Sequence, residues 1–170
     1  MGVELNGIAH IQLTVNDAGR CIPFWEKLCH FLGMQTLVRN QDTVYCIGGR
    51  TGVLVRKAPD GAKGGAFDQN RAGLHHFCFR ARSREDVDAI HRFLVDGLGA
   101  LIVHPPEDGS EFAPGYYSVL FEDPDGVRIE VNHVPGKGHF GAGGRLGPGG
   151  VGPADRYGSE GLQGGGRRLR

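Results

Sequence analysis

The sequence predicts an α+β fold of paired βαβββ modules forming a cup-shaped mixed β-sheet with helices outside. Three observations predict it. Gly7-Ile8-Ala9-His10 and Gly73-Leu74-His75-His76 are similar openings sixty-six residues apart. Each runs from an alternating strand into a helical stripe and then into three short strands. The spacing is too long for a solenoid repeat and suits a duplicated module whose two sheets complete one another.

The first strand spans 8–15. Ile11, Leu13 and Val15 alternate with His10, Gln12 and Thr14, the period of a half-buried strand. Asn16 or Asp17 caps the next helix. Its apolar stripe is Ile22, Trp25, Leu28 and Leu32, and Gly33 stops it. Pro23 belongs in a first turn, so the spacing predicts a helix starting near Arg20 or later. Strands at 35–39, 43–47 and 52–57 follow, separated by Asn40-Gln41-Asp42 and Gly48-Gly49-Arg50.

Residues 58–72 are polar and contain glycine, and read as a linker. The pattern restarts with a strand at 74–81. Ser83-Arg84-Glu85-Asp86 is a capping-box sequence. Val87, Ile90, Phe93 and Leu94 form the apolar face of the second helix, which ends near Gly97-Leu98-Gly99. Strands at 100–103, 116–122 and 127–134 complete the module, with Asp123-Pro124-Asp125-Gly126 as the turn between the last two. Residues 105–115 read as a loop. The two modules, about 6–57 and 73–134, make one domain over 6–134. From Pro135 to residue 170 the chain is rich in glycine and arginine, and too poor in apolar residues to offset its ordering entropy. This tail is expected to be disordered.

Formal net charge is zero, which gives no general electrostatic case for nucleic acid or an anionic membrane. The four cysteines form no C-x-x-C pair. Cys21, Cys46 and Cys78 have apolar neighbours and read as reduced core thiols, which points to a cytoplasmic protein. Residues 1–6 show neither a basic segment nor an apolar core, so no signal peptide is expected. No apolar run approaches the roughly 20 residues of a membrane-spanning helix.

Strand register then selects a site. His10 lies opposite the helix-facing residues of its strand. His76 shares a face with Cys78 and Arg80, whereas His75 shares the other with Phe77 and Phe79. In the last strand Glu130 lies with Arg128 and Asn132, opposite Val127, Ile129 and Val131. Three strands thus place His10, His76 and Glu130 on the side away from the helices. A polar but sheltered sheet face implies a cup. Two neutral imidazoles and a carboxylate can hold a divalent cation there and leave coordination positions open. Arg80 and Arg128 share that face and are candidate binders of an anionic substrate.

At these residues the chain resembles the vicinal oxygen chelate superfamily, which includes glyoxalase I, extradiol dioxygenases, fosfomycin-resistance enzymes and bleomycin-resistance proteins. The resemblance is carried by Gly-Ile-Ala-His at 7–10, Pro-Phe-Trp-Glu-Lys-Leu at 23–28 with Leu32-Gly33-Met34, Gly-Leu-His-His-Phe at 73–77 and Asp-Pro-Asp-Gly-Val-Arg-Ile-Glu-Val at 123–131. It implies metal-ligand roles for His10, His76 and Glu130, a small-molecule substrate bound through vicinal oxygens, and a homodimer. Glyoxalase I usually adds a Glu or Gln from the last strand of its first module, where this chain has Val53-Leu54-Val55. Three ligands match instead the facial triad of non-haem iron oxygenases, and so a dioxygenase-like reaction with Fe2+ or Mn2+, Zn2+ or Ni2+ being alternatives. They also match a glyoxalase-type lyase or isomerase and an epoxide-opening transferase or hydrolase. Leu120 and Phe121 stand where extradiol dioxygenases often carry a tyrosine. Tyr116 or Tyr117, just upstream, is the candidate acid or orienting donor. The reading from another class is a metal-free, drug-sequestering binding protein.

Overall fold

The computed structural model describes residues 2, 5, 7–60, 62 and 64–135. The expected tail, apart from Pro135, lies outside these residues. The chain forms the two expected modules. The first is β1 (His10–Val15), α1 (Ala18–Phe31), β2 (Gln35–Arg39), β3 (Thr43–Gly48) and β4 (Thr51–Lys57). The second is β5 (Phe77–Arg80), α2 (Arg84–Arg92), a π-helical turn (Phe93–Leu98), β6 (Leu101–Asp108), β7 (Tyr117–Glu122) and β8 (Arg128–His133). They build two separate four-stranded mixed sheets, ordered β1-β4-β3-β2 and β5-β8-β7-β6. In each sheet the first and last strands pair in parallel and the remaining pairs are antiparallel.

Period-two alternation sets the two faces of each sheet. Leu13, Val15, Val44, Cys46, Val53 and Val55 are buried beneath α1. Val119, Phe121, Ile129 and Val131 are buried beneath α2. The opposite faces carry His10, Gln12 and Thr14 in one sheet and Cys78, Arg80 and Glu130 in the other.

Helix α1 does more than cover its own sheet. Cys21, Ile22, Phe24, Trp25, Leu28 and Cys29 are all buried, a wider face than the stripe in the sequence. The helix also contacts the second module. Trp25 stacks on Phe77 with ring centroids 6.0 Å apart, and Phe31 stacks on Phe93 at 4.0 Å. Trp25, Ile22 and Leu28 are fully buried in a core that also holds Phe121 and Ile129 of the second module. Each such side chain contributes about 2 kcal/mol by burial.

The Asp-Pro-Asp-Gly turn fastens the modules together. Asp123 Oδ1 accepts from Asp125 N and Val127 N at 2.9 Å each, and its Oδ2 accepts from Trp25 Nε1 at 2.9 Å. Asp125 accepts from the backbone N–H of Asn16 and of Asp17, so its negative charge sits at the positive N-terminus of α1.

Three local expectations are corrected. Helix α1 starts at Ala18 rather than near Arg20, and Pro23 lies inside it. The start is held by Asp17, which accepts from Arg20 N through its side chain at 3.1 Å and from Cys21 N through its carbonyl at 2.8 Å. Strand β6 runs on through Pro105 and Pro106 to Asp108, where the sequence suggested a loop. Prolines are tolerated because β6 is an edge strand and its pairing shifts register around His104 and Glu107. Cys78 is exposed, unlike buried Cys21, Cys29 and Cys46. Its apolar neighbours Phe77 and Phe79 point to the other face.

Candidate functional site

The open face of the second sheet gathers the candidate residues. His76 immediately precedes β5, and Glu130 lies near the middle of β8, the strand paired with β5. His76 Nε2 is 3.1 Å from Glu130 Oε2. The Glu130 side chain is only 12 % exposed, against 35 % for His76. Tyr116, just before β7, donates its phenolic hydrogen to Glu130 Oε1. A turn presents it: Tyr116 N donates to Ala113 O, and Gly109 N donates to Tyr116 O, both at 3.0 Å.

These contacts fix protonation. Burial alone pushes the Glu130 carboxyl up, but hydrogen bonds from His76, Tyr116 and Ser118 outweigh it and hold the group below the usual carboxylate range. Burial and the adjacent carboxylate push the Tyr116 phenol well above its ordinary value, so it stays a hydrogen-bond donor. Cys78 is the strand partner of Glu130. Desolvation, followed by the Glu130 charge, pushes its thiol up.

The sequence placed His75 on the opposite face from His76, but the structure brings their Nδ1 atoms to 2.7 Å. Both residues precede β5, so strand alternation does not govern them. At least one ring must donate. When His76 carries its proton on Nε2 it donates to Glu130 Oε2. In the other tautomer, with the proton on Nδ1, His76 Nε2 and Glu130 Oε2 are two facing acceptors, an arrangement that a cation between them satisfies. Desolvation, the neighbouring His76 and Arg128 lower the pKa of His75, which favours its neutral ring, with one donor and one acceptor nitrogen. Nothing in a single pass of strand register signals this support; the adjacent His75-His76 pair just outside a strand is the only hint.

Other candidates lie elsewhere. His10 is exposed at the start of β1, opposite Gly52. Among the described residues no three His, Cys, Asp or Glu side chains converge to hold a metal ion, so one chain does not bring His10 to His76 and Glu130. Tyr117 points to the helix face, where its hydroxyl donates to Asp88 Oδ1 at 2.8 Å and the Arg84 guanidinium lies 3.8 Å above its ring. Arg128 is held by Glu122 at 3.1 Å and by the Gln69 amide oxygen once that amide is oriented toward it. Arg80 shares the open face with Cys78, is exposed, and makes no hydrogen bond or ion pair among the described residues. A groove of about 640 Å³ between α1 and the turn at 123–126 contains none of these site residues.

Residues 7–131 match the profile of the Glyoxalase/Bleomycin resistance protein/Dioxygenase superfamily. The chain belongs to that superfamily. It is 25% identical over 122 residues to the uncharacterized protein YqjT of Bacillus subtilis, covering 72% of this chain and 94% of that one. A crystal structure of a proposed glyoxalase from Bacillus halodurans is 28% identical, with a TM-score of 0.65, covering 76% of this chain and 96% of the other. A glyoxalase/bleomycin resistance protein/dioxygenase domain from Frankia sp. EAN1pec is 26% identical at a TM-score of 0.60, covering 76% and 98%. Lactoylglutathione lyase from Agrobacterium tumefaciens, at 22% identity and a TM-score of 0.55 over 76% and 94% of the two chains, shares the fold.

Members of the superfamily are often metal-dependent. His76 Nε2 and Glu130 Oε2, 3.1 Å apart, have the separation of two ligands on one ion with bonds of about 2.0–2.2 Å. Each has an outer partner, His75 and Tyr116. The pair fits a divalent cation as part of a set, and a third protein donor has to come from outside this cluster. No helix among the described residues is long and apolar enough to cross a membrane.

Proposed function

We propose that this superfamily member is a metal-dependent enzyme whose cation is held by His76 and Glu130 of one copy and His10 of a second copy in a homodimer. Its substrate is a small molecule that chelates through two vicinal oxygens, and the reaction is dioxygenase-like. The observation that carries this reading is the His76–Glu130 pair, backed by His75 on one side and Tyr116 on the other. Outer partners of this type orient ligands and raise their basicity.

Register favours three protein ligands over four. Gln12 pairs with Leu54 as Cys78 pairs with Glu130, and each first partner lies two residues after a candidate histidine. Leu54 is therefore the first-module counterpart of Glu130, and it has no donor atom. Two histidines and one carboxylate leave positions open for a bidentate ligand. A bound divalent cation supplies Lewis acidity toward chelated oxygens, and as Fe2+ or Mn2+ also access to O2 chemistry. The chain's own groups do the rest. Glu130 stays ionised, Tyr116 keeps it oriented and retains its own proton, and His75 fixes the His76 tautomer. Arg80, which makes no hydrogen bond or ion pair with a described residue, offers a cation to an anionic substituent.

Metal analysis of protein purified without a chelating tag tests the reading. Stoichiometric Fe2+ or Mn2+, lost in His76→Ala but kept in His75→Ala, is the expected result, followed by oxygen uptake on a catechol panel. Bound Zn2+ or Ni2+ without oxygen uptake supports the lyase, isomerase or epoxide-opening reaction instead. Equal metal content in both variants contradicts the ligand assignment, and no metal in the wild type favours a metal-free binding protein.

A further inference from the structure

The open face of the first sheet carries a phenol that the site described so far does not use. Tyr45 lies on β3, with Leu54 as its strand partner. Its side chain does not stand over Leu54. It leans along the sheet over Gly52. A Cβ built on Gly52 would fall 2.7 Å from the Tyr45 ring and 2.8 Å from its hydroxyl oxygen. Only glycine leaves that space. Gly52 is buried even though its neighbours Val53 and Val55 face the core side, because the ring covers it.

Gly52 is also the strand partner of His10. Adjacent strands are about 4.8 Å apart, so the Tyr45 hydroxyl is delivered beside the strand position of His10. The hydroxyl hydrogen-bonds to no described residue, whereas Tyr116 and Tyr117 are both committed. Comparison of the modules gives this a meaning. In the second module the polar group stands on β8 as Glu130, and its β7 partner is Leu120. In the first module the apolar residue stands on β4 as Leu54, and its β3 partner is Tyr45. The polar group has moved one strand outward and changed from an acceptor that binds cations to a neutral donor.

We propose that Tyr45 is a substrate-contacting residue: its phenol, aimed across Gly52 toward His10, donates a hydrogen bond to an oxygen of the chelating ligand. This rests on the metal-site reading above and extends it, since Tyr45 accompanies His10 wherever His10 goes. Tyr45 thus sets specificity for a ligand with an acceptor oxygen on the His10 side, while Tyr116 lies on the Glu130 side.

The test uses the full chain loaded with Mn2+ and 4-nitrocatechol as a chromophoric vicinal-oxygen probe. Tyr45→Phe removes the hydroxyl and keeps the ring over Gly52. It is expected to weaken probe binding about 3–10-fold, the worth of one neutral hydrogen bond, with Mn2+ stoichiometry and melting temperature unchanged. Gly52→Ala, which displaces the ring, is expected to weaken it similarly. Probe affinity in Tyr45→Phe equal to the wild type overturns the proposal, as does loss of Mn2+, which would make Tyr45 a ligand. Probe binding by the wild type that does not depend on Mn2+ overturns the metal-site reading and the proposal with it. That failure is visible before any variant is made.

Discussion

Trp25 Nε1 donates a 2.9 Å hydrogen bond to Asp123 Oδ2 across 98 residues of chain and across the boundary between the modules. The same carboxylate holds two backbone N–H groups of the turn that opens β8. One buried aspartate therefore ties the first helix to the strand that carries Glu130. Trp25→Phe leaves Asp123 Oδ2 without its buried donor and shrinks a fully packed ring. It is expected to cost about 2–3 kcal/mol in urea unfolding. A loss under half a kcal/mol would mean that the modules are held mainly by other contacts.

Arg84 grips Asp108 through two hydrogen bonds of 3.0 and 2.9 Å while lying over the Tyr117 ring. The hydrogen bond from Arg84 holds the Asp108 carboxyl below the ordinary aspartate range. Its folded pKa is depressed, so the pair's stabilisation is present above the unfolded value and fades as pH falls through the folded one. The group is exposed, and its effect on stability is expected to be small. Carboxyl NMR titration should show Asp108 moving up toward the ordinary range in Arg84→Ala. An unchanged titration would contradict the pairing.

Much of this architecture was legible because period-two alternation is strict wherever one sheet face is buried. Leu13, Val15, Ile129 and Val131 alternate with polar neighbours, and the capping box at Ser83 and Asp86 announced α2. Legibility failed where tertiary context took over. Pro23 looked like a first-turn residue, yet the Asp17 cap starts the helix earlier. Pro105 and Pro106 looked like a loop, yet an irregular edge strand absorbs them. In the site, alternation marked Glu130 and Cys78 but could not treat His75 and His76, which precede the strand. It also could not say that Tyr116 reaches Glu130 while Tyr117 turns to Asp88. Adjacent residues entering a strand take opposite faces, and only the turn at 109–116 decides which one enters the open side.

Tyr116 donates to Glu130 and is the outer partner of that carboxylate in the proposed metal site. Tyr116→Phe is expected to weaken Mn2+ affinity about 10-fold, at the lower end of what loss of an outer partner costs. Isothermal titration checks it, and unchanged affinity would show that the phenol does not position the carboxylate.

The proposed metal site draws its three donors from two copies of the chain. Dimers mixed from His10→Ala chains and His76→Ala chains test it most directly. If each site takes His10 from one copy and His76 with Glu130 from the other, a mixed dimer contains one doubly altered site and one intact site. Neither variant alone should hold metal, and the mixed dimer should regain one ion per dimer by metal analysis. No recovery of metal in mixed dimers, from a wild type that binds it, would contradict the account.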